Sequence, residues 1–312
     1  MNQQTPGNNS GIVNAGGTNS FTNTTFGDQA QVQNHGSPHA APPAEVAAST
    51  GAQETQQHRD VGIVTILPGE MRAVVDRFGL RRSHKIEDLF FSTGRVTTES
   101  GDVSVVATRT LAPGQRSVMS ALENLRTHFA PRLWLLVGIG GSLHHKQVPI
   151  GNVVVSTRVV YYDSRKIEEG GHVQPRGEER GAPARVMHAV NAYFTDHGEP
   201  AAIRGQAEGH KKRTFGVVPG LIGSGEAVIA ARDSSVRSYL KHYNDKVLAV
   251  DMEAGGLSQY WQENSVGTAL NPGWVVVRGI SDNADKEKND DSHDLAARNA
   301  AHVAAELLPY LC

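Results

Sequence analysis

A chain of 312 residues with 30 basic and 32 acidic side chains, formal net charge −2, has no bulk electrostatic pull toward nucleic acid or an anionic membrane surface. Its single cysteine, Cys312, excludes an internal disulfide framework and any cysteine-based structural zinc site, and suits a reducing cytoplasm. No stretch nears the roughly 18 apolar residues of a spanning helix, and the opening MNQQTPGNNS lacks the basic-then-apolar order of a secretion signal, so a cytoplasmic protein without a membrane span is expected.

From Met1 to His58 there is no Lys, Arg, Leu or Trp, while Asn, Gln, Thr, Gly, Ala and Pro dominate. Such a segment cannot bury enough apolar surface to offset chain entropy, and residues 1–58 are expected to form a disordered, low-complexity tail. Within it, residues 11–33 set Ile12, Val13, Phe21, Phe26 and Val32 among amides with no proline, the composition of a stacked cross-β segment. This stretch resembles, in composition and layout, the short amyloid-forming signalling motifs at the ends of some bacterial and fungal immune effectors. Its alternative is an inert polar tail. Residues 37–57, SPHAAPPAEVAASTGAQETQQ, read as a flexible linker to a domain over 59–312.

The domain opens on VGIVTIL, a buried-strand run, followed by a Pro-Gly break and a helical stretch from Glu70 to Phe78. Further strand runs are VSVVAT at 103–108, LWLLVGIG at 133–140, NVVVST at 152–157, FGVVPGLI at 215–222, VLAVDM at 247–252 and WVVVRGIS at 274–281. Helical segments at 117–129, 182–194, 226–241 and 294–309 alternate with them. Continuous apolar strands between helices predict an α/β fold, a three-layer α/β/α sandwich with both sheet faces covered.

In such folds reactive groups lie just past the carboxyl ends of strands. Four stations stand there. Glu70 follows the first strand, although a carboxylate at a helix start also has a purely structural use. Gly138-Ile-Gly-Gly-Ser142 reads as a tight glycine turn whose N–H groups and serine hydroxyl could face an anion or a ribose; it is neither a dinucleotide fingerprint nor a phosphate loop. Val250-Asp-Met-Glu-Ala254 places two acids at a core edge, where a carboxylate accepting two hydroxyl protons makes a ribose clamp. Arg278-Gly-Ile-Ser-Asp-Asn-Ala-Asp285 ends a strand on Ser281 and Asp282, and burial can hold such an acid ready to donate a proton.

In this order and spacing, from Val61 to Leu311, the stations resemble the nucleoside phosphorylase superfamily, particularly its methylthioadenosine/S-adenosylhomocysteine nucleosidase branch. The resemblance implies a mixed central sheet and hydrolysis of the N-glycosidic bond of a purine nucleoside or nucleotide. It makes Glu70 the base that activates water and Asp282 the acid that protonates purine N7, with Ser281 orienting it. Gly140 and Ser142 would line the ribose side, Val228 and Ile229 would contact the base, Met252 would pack on the sugar, and Glu253 would bind its hydroxyls. No metal or cofactor is implied, and a homo-oligomer is expected. Water is the expected nucleophile; Arg72, Arg158, Arg165 and Lys166 are the candidates for holding a phosphate, whether as nucleophile or on a nucleotide. Lys211-Lys-Arg213 is a further basic cluster, with a solvated loop as its plainer reading. Val228 stands where the family carries an aromatic, so base stacking is weaker or comes from elsewhere. A nucleosidase joined to a recruitment motif at residues 11–33 resembles effectors of bacterial antiviral or cell-death defence that destroy adenine nucleotides. The alternatives are a salvage nucleosidase, a phosphorylase, and a nucleotide-binding sensor without turnover.

Overall fold

The structure, a computed structural model, describes residues 58–205, 214–229, 231, 234–265, 273–284 and 291–312. Residues 1–57, with the motif at 11–33 and the linker at 37–57, and the cluster Lys211 to Arg213 lie outside the described residues.

Among the described residues the first elements are β1 (Val61–Thr65) and α1 (Pro68–Phe78), which starts at Pro68 because the first helical position needs no N–H. An antiparallel meander follows, β2 (Arg81–Ile86), β3 (Leu89–Thr98) and β4 (Gly101–Arg109), then α2 (Gln115–Phe129) and β5 (Leu133–Ser142). Next come β6 (Val153–Ser156), β7 (Arg158–Tyr161), β8 (Arg165–Ile167), β9 (Val173–Pro175) and β10 (Glu178–Gly181). The remainder is α3 (Ala184–His197), β11 (Ala201–Arg204), β12 (Thr214–Pro219), β13 (Leu221–Ser224), α4 (Ser235–Tyr243), β14 (Val247–Asp251), α5 (Ala254–Asn264), β15 (Gly273–Asp282), α6 (Asp291–Glu306) and α7 (Leu308–Leu311).

The strands β1, β6, β14 and β15 are buried along their whole length, which explains their unbroken apolar runs. They belong to a mixed sheet ordered β10-β7-β13-β14-β5-β1-β4-β3-β2, with a branch at β5. There β15 runs parallel to β5 from Gly273↔Leu133 onward, and its other edge pairs antiparallel with β6, which leads to β12 and β11. The last residues of β5 turn to β14, with Val250 opposite Gly141. Helices α1 and α6 pack together as one outer layer, and α2 and α5 as the other.

One expected strand divides. The run at 215–222 becomes β12 and β13, because β12 pairs with β6 while β13 pairs with β7 on another branch; the run at 152–157 holds β6 alone, with β7 beginning just after it at Arg158. Gly220 marks the break, where a Cβ would sit 2.6 Å from the Leu248 side chain. The helix expected over 226–241 starts only at Ser235, since Ser234 caps it by accepting from the Arg237 N–H at 3.2 Å. Val228 and Ile229 are thereby left in a loop at the end of β13.

Candidate active site

The carboxyl ends of β1, β5, β14 and β15 meet around a cavity of about 270 Å³. Glu70 reaches it from the first turn of α1, where one carboxylate oxygen accepts from the N–H groups of Ile66 (2.7 Å) and Leu67 (2.8 Å). Its other oxygen accepts from the N–H of Ile139 on β5 at 2.8 Å. Glu70 therefore caps its own helix and also faces the cavity, so the capping role does not withdraw this carboxylate from the cavity wall.

The glycine segment is a strand, not the expected tight turn. Residues Gly138 to Ser142 continue β5 in extended conformation, Gly138 to Gly141 pairing with β15 and Ser142 with Ala249 of β14. Glycine is required there for closeness: a Cβ on Gly138 would lie 2.5 Å from both Glu70 Oε1 and Arg278 Nη1, and one on Gly141 would lie 2.9 Å from Asp282 Oδ1.

Arg278 on β15 is fully buried and holds the acids of the third station in place. Its Nε and Nη2 donate to Asp251 Oδ2 at 2.9 and 2.7 Å, and Nη2 also donates to Glu253 Oε2 at 3.1 Å. Its Nη1, on the Gly138 and Glu70 side, has no hydrogen-bond partner among the described residues. Asp251 turns the chain into α5 by accepting from the N–H groups of Glu253 (3.2 Å) and Ala254 (3.1 Å). Glu253 also accepts from the Gly114 N–H at 3.0 Å. Burial pushes its carboxyl up to about 7, with the neighbouring charges of Asp251 and Glu70 adding to the rise and Arg278 opposing it.

On the opposite side of Gly140, Ser281 Oγ donates to Asp282 Oδ2 at 3.0 Å and the Ala284 N–H donates to Asp282 Oδ1 at 2.7 Å. The loop carrying Val228 is tied down by Tyr162, whose hydroxyl donates to the Ala227 carbonyl at 3.3 Å, and by Asp163, which accepts from the Glu226 N–H.

The cavity brings together Glu70, Gly140, Val228, Ile229, Met252, Glu253, Ser281 and Asp282. Ser142 is not among its walls; it is wholly buried and accepts from the His144 N–H at 3.2 Å. The four candidate phosphate-binding cations are also elsewhere. Arg72 lines a neighbouring groove of about 860 Å³ that holds neither Glu70 nor Asp282. Arg158 pairs with Glu179 across β7 and β10, and Arg165 and Lys166 are exposed on the β8–β9 ribbon, Lys166 with Glu168 at 2.9 Å. Among the polar wall residues, Tyr162 and His293, the latter on the first turn of α6, were not singled out in the sequence and reach the site through folding alone, while Asp251 was read only as the first acid of its motif.

The family model described as the phosphorylase superfamily matches residues 60–309. The chain is 28% identical over 279 residues to the ATP nucleosidase Cap17 of Escherichia coli, a match covering 84% of this chain and 54% of that protein, so it spans about half the length of that relative. It is 30% identical over 181 residues to the 5'-methylthioadenosine/S-adenosylhomocysteine nucleosidase of Glaesserella parasuis, covering 57% of this chain and 69% of that enzyme. In fold it resembles the 5'-methylthioadenosine/S-adenosylhomocysteine nucleosidase of Neisseria meningitidis solved with methylthio-immucillin-A, with TM-score 0.60, 20% identity, and 80% and 99% of the two chains covered. It also resembles the futalosine hydrolase of Helicobacter pylori, with TM-score 0.57, 18% identity, and 81% and 97% covered.

Proposed function

The chain belongs to the phosphorylase superfamily, and from that premise we propose that it hydrolyses the N-glycosidic bond of a purine nucleotide, with adenine nucleotides the favoured class. The observation that carries this reading is the presence of Glu70 and Asp282, from different elements, on the walls of one cavity that also holds the Met252–Glu253 pair. In the proposed reaction Asp282 gives a proton to purine N7, the bond from C1' to N9 breaks, and a water oxygen bonds to C1' as Glu70 takes its proton. Paired carboxyl groups flanking a scissile glycosidic bond support an oxocarbenium-like transition state in this way. Tyr162, on the wall beside Val228 and Ile229, supplies the aromatic surface that Val228 lacks.

Water is favoured over phosphate by charge. The four candidate cations lie outside the cavity, and Arg278 is already engaged by Asp251 and Glu253, so none of these cations is placed to hold a phosphate against C1' beside Glu70, whereas a nucleotide's own phosphates sit on the 5' carbon at the other end of the ribose. The preference for nucleotides rests on the likeness to the ATP nucleosidase over 84% of this chain. Salvage of methylthioadenosine is the second reading, favoured by the 30% identity to a nucleosidase of that name. A defence role, recruitment through residues 11–33 and a homo-oligomeric state belong to the same proposal.

The test is chromatography of products from ATP, AMP, adenosine, methylthioadenosine and S-adenosylhomocysteine, each with and without phosphate. Free adenine from ATP or AMP without phosphate is the expected result. Release from the thio-nucleosides alone would establish the salvage reading, and a requirement for phosphate would make the protein a phosphorylase. Glu70→Gln and Asp282→Asn should each lower base release by about 100-fold or more, the range of general acid–base catalysis, and full activity in both would end the proposal.

A further inference from the structure

Arg237 of α4 is buried, 6% exposed, and is not part of the cavity wall. Its Nη2 donates to the carbonyls of Ser142 (3.3 Å) and Leu143 (2.9 Å), at the end of β5. Its Nη1 donates to the carbonyls of Asn283 (3.0 Å) and Ala284 (3.4 Å), the two residues after Asp282. One planar guanidinium thus joins two segments that are far apart in sequence. The Asn283 carbonyl and the Ala284 N–H belong to a single peptide group, and that N–H donates to Asp282 Oδ1 at 2.7 Å.

We infer that Arg237 is a positioning residue for Asp282. It holds the Asn283–Ala284 peptide from its oxygen, so that the N–H on the other end of the same group fixes one carboxyl oxygen, while Ser281 fixes the other. Two physical arguments support the link. A cation on the carbonyl polarises the peptide and strengthens the bond its N–H donates. In addition, Ala284 has φ +50°, a left-handed conformation that is unfavourable for a non-glycine residue and persists only where the surroundings impose it. The guanidinium supplies that constraint through donors in a fixed fork, which the compact ammonium of lysine cannot match at both segments. The Asp282 carboxyl group and Ala284 both pack closely against Gly141, where an added Cβ would lie 2.9 Å from Asp282 Oδ1 and 3.3 Å from Ala284 Cα, so the 283–284 peptide and the carboxyl group share one tight contact.

The inference rests on the reading of Asp282 as the acid that protonates the leaving base. Its test is a cycle of full-length variants, Arg237→Met and Arg237→Lys in the wild-type and Asp282→Asn backgrounds, followed by kcat and KM on the substrate the wild type cleaves, with single-turnover rates for the slow variants. Arg237→Met should lower kcat about 100-fold with KM within about 3-fold, because the interaction lost acts on the transition state rather than on substrate binding. Arg237→Lys should recover about a tenth of the wild-type rate. In the Asp282→Asn background both changes should alter the residual rate by less than about 2-fold, since the group being positioned is gone. Equal losses in the two backgrounds, or an effect confined to KM, would overturn the inference. Full activity of Asp282→Asn alone would instead remove the reading on which it rests. Where the melting curve shows that Arg237→Met does not fold, Arg237→Lys carries the same comparison.

Discussion

Around Arg278 one guanidinium serves Asp251 and Glu253 directly and Glu70 through space. Burial above all, with Asp251 and Glu70 adding to it against the opposing Arg278, holds the Glu253 proton up to about 7. In the unfolded chain the same carboxyl ionises near the ordinary glutamate value, about 4.3. Between these two values the folded protein keeps a proton that the unfolded chain has lost, so this group makes stability fall as pH rises through that window and level off above it. Glu253→Gln removes the titration. Urea denaturation from about pH 5 to about pH 8 should show the wild type losing stability relative to Glu253→Gln, and parallel curves would place the proton elsewhere. The acids of this cluster were readable as residues, because paired acids at the end of an apolar strand are conspicuous. Their partner was not, since Arg278 and Asp251 lie 27 positions apart and meet only across the sheet.

At the scale of elements, close approach of α6 to β15 and β5 shapes one wall of the site. The helix turns Ala296, Ala297, Ala300, Ala301 and Ala304 inward, all buried, so its backbone comes near the sheet. Gly279 completes the contact: a Cβ there would fall on the Ala296 carbonyl, which belongs to the helix backbone and cannot rotate away. Gly279→Ala is therefore expected to push α6 outward and to destabilise the protein by about 1–3 kcal/mol, read from urea midpoints. An unchanged midpoint would mean that the helix shifts freely. The same demand for closeness explains the glycine segment of β5, where glycine content suggested a turn. Gly138, Gly140 and Gly141 stay in strand because Glu70, the Val250 carbonyl and Asp282 occupy the space beside them. Glycine composition signals a turn and a close contact alike, and only the neighbours distinguish the two.

At the scale of the whole molecule, residues 11–33 are proposed as a cross-β recruitment motif joined by a linker to a self-sufficient domain. A peptide of residues 11–33 should form thioflavin-positive fibres, and residues 58–312 alone should stay folded and sediment as a homo-oligomer. A peptide that remains soluble at high concentration would leave the segment an inert tail, and a monomer on sedimentation would end the oligomer proposal. The sequence by itself determined the α/β class and the succession of core strands along the chain, because burial on both faces and punctuation by Gly and Pro are local properties of a chain. It did not reveal the polar meander β2–β3, whose strands are half-exposed and lack an apolar run. Nor did it reveal that 215–222 divides between two branches of the sheet. Only the tertiary structure decided that Ser142 and the four cations stand apart from the cavity, that Tyr162 and His293 enter it, and that Arg237 holds the peptide behind Asp282. Those relations join residues tens of positions apart, and hydrophobic periodicity reports whether a side chain is buried but not which distant group it is buried against.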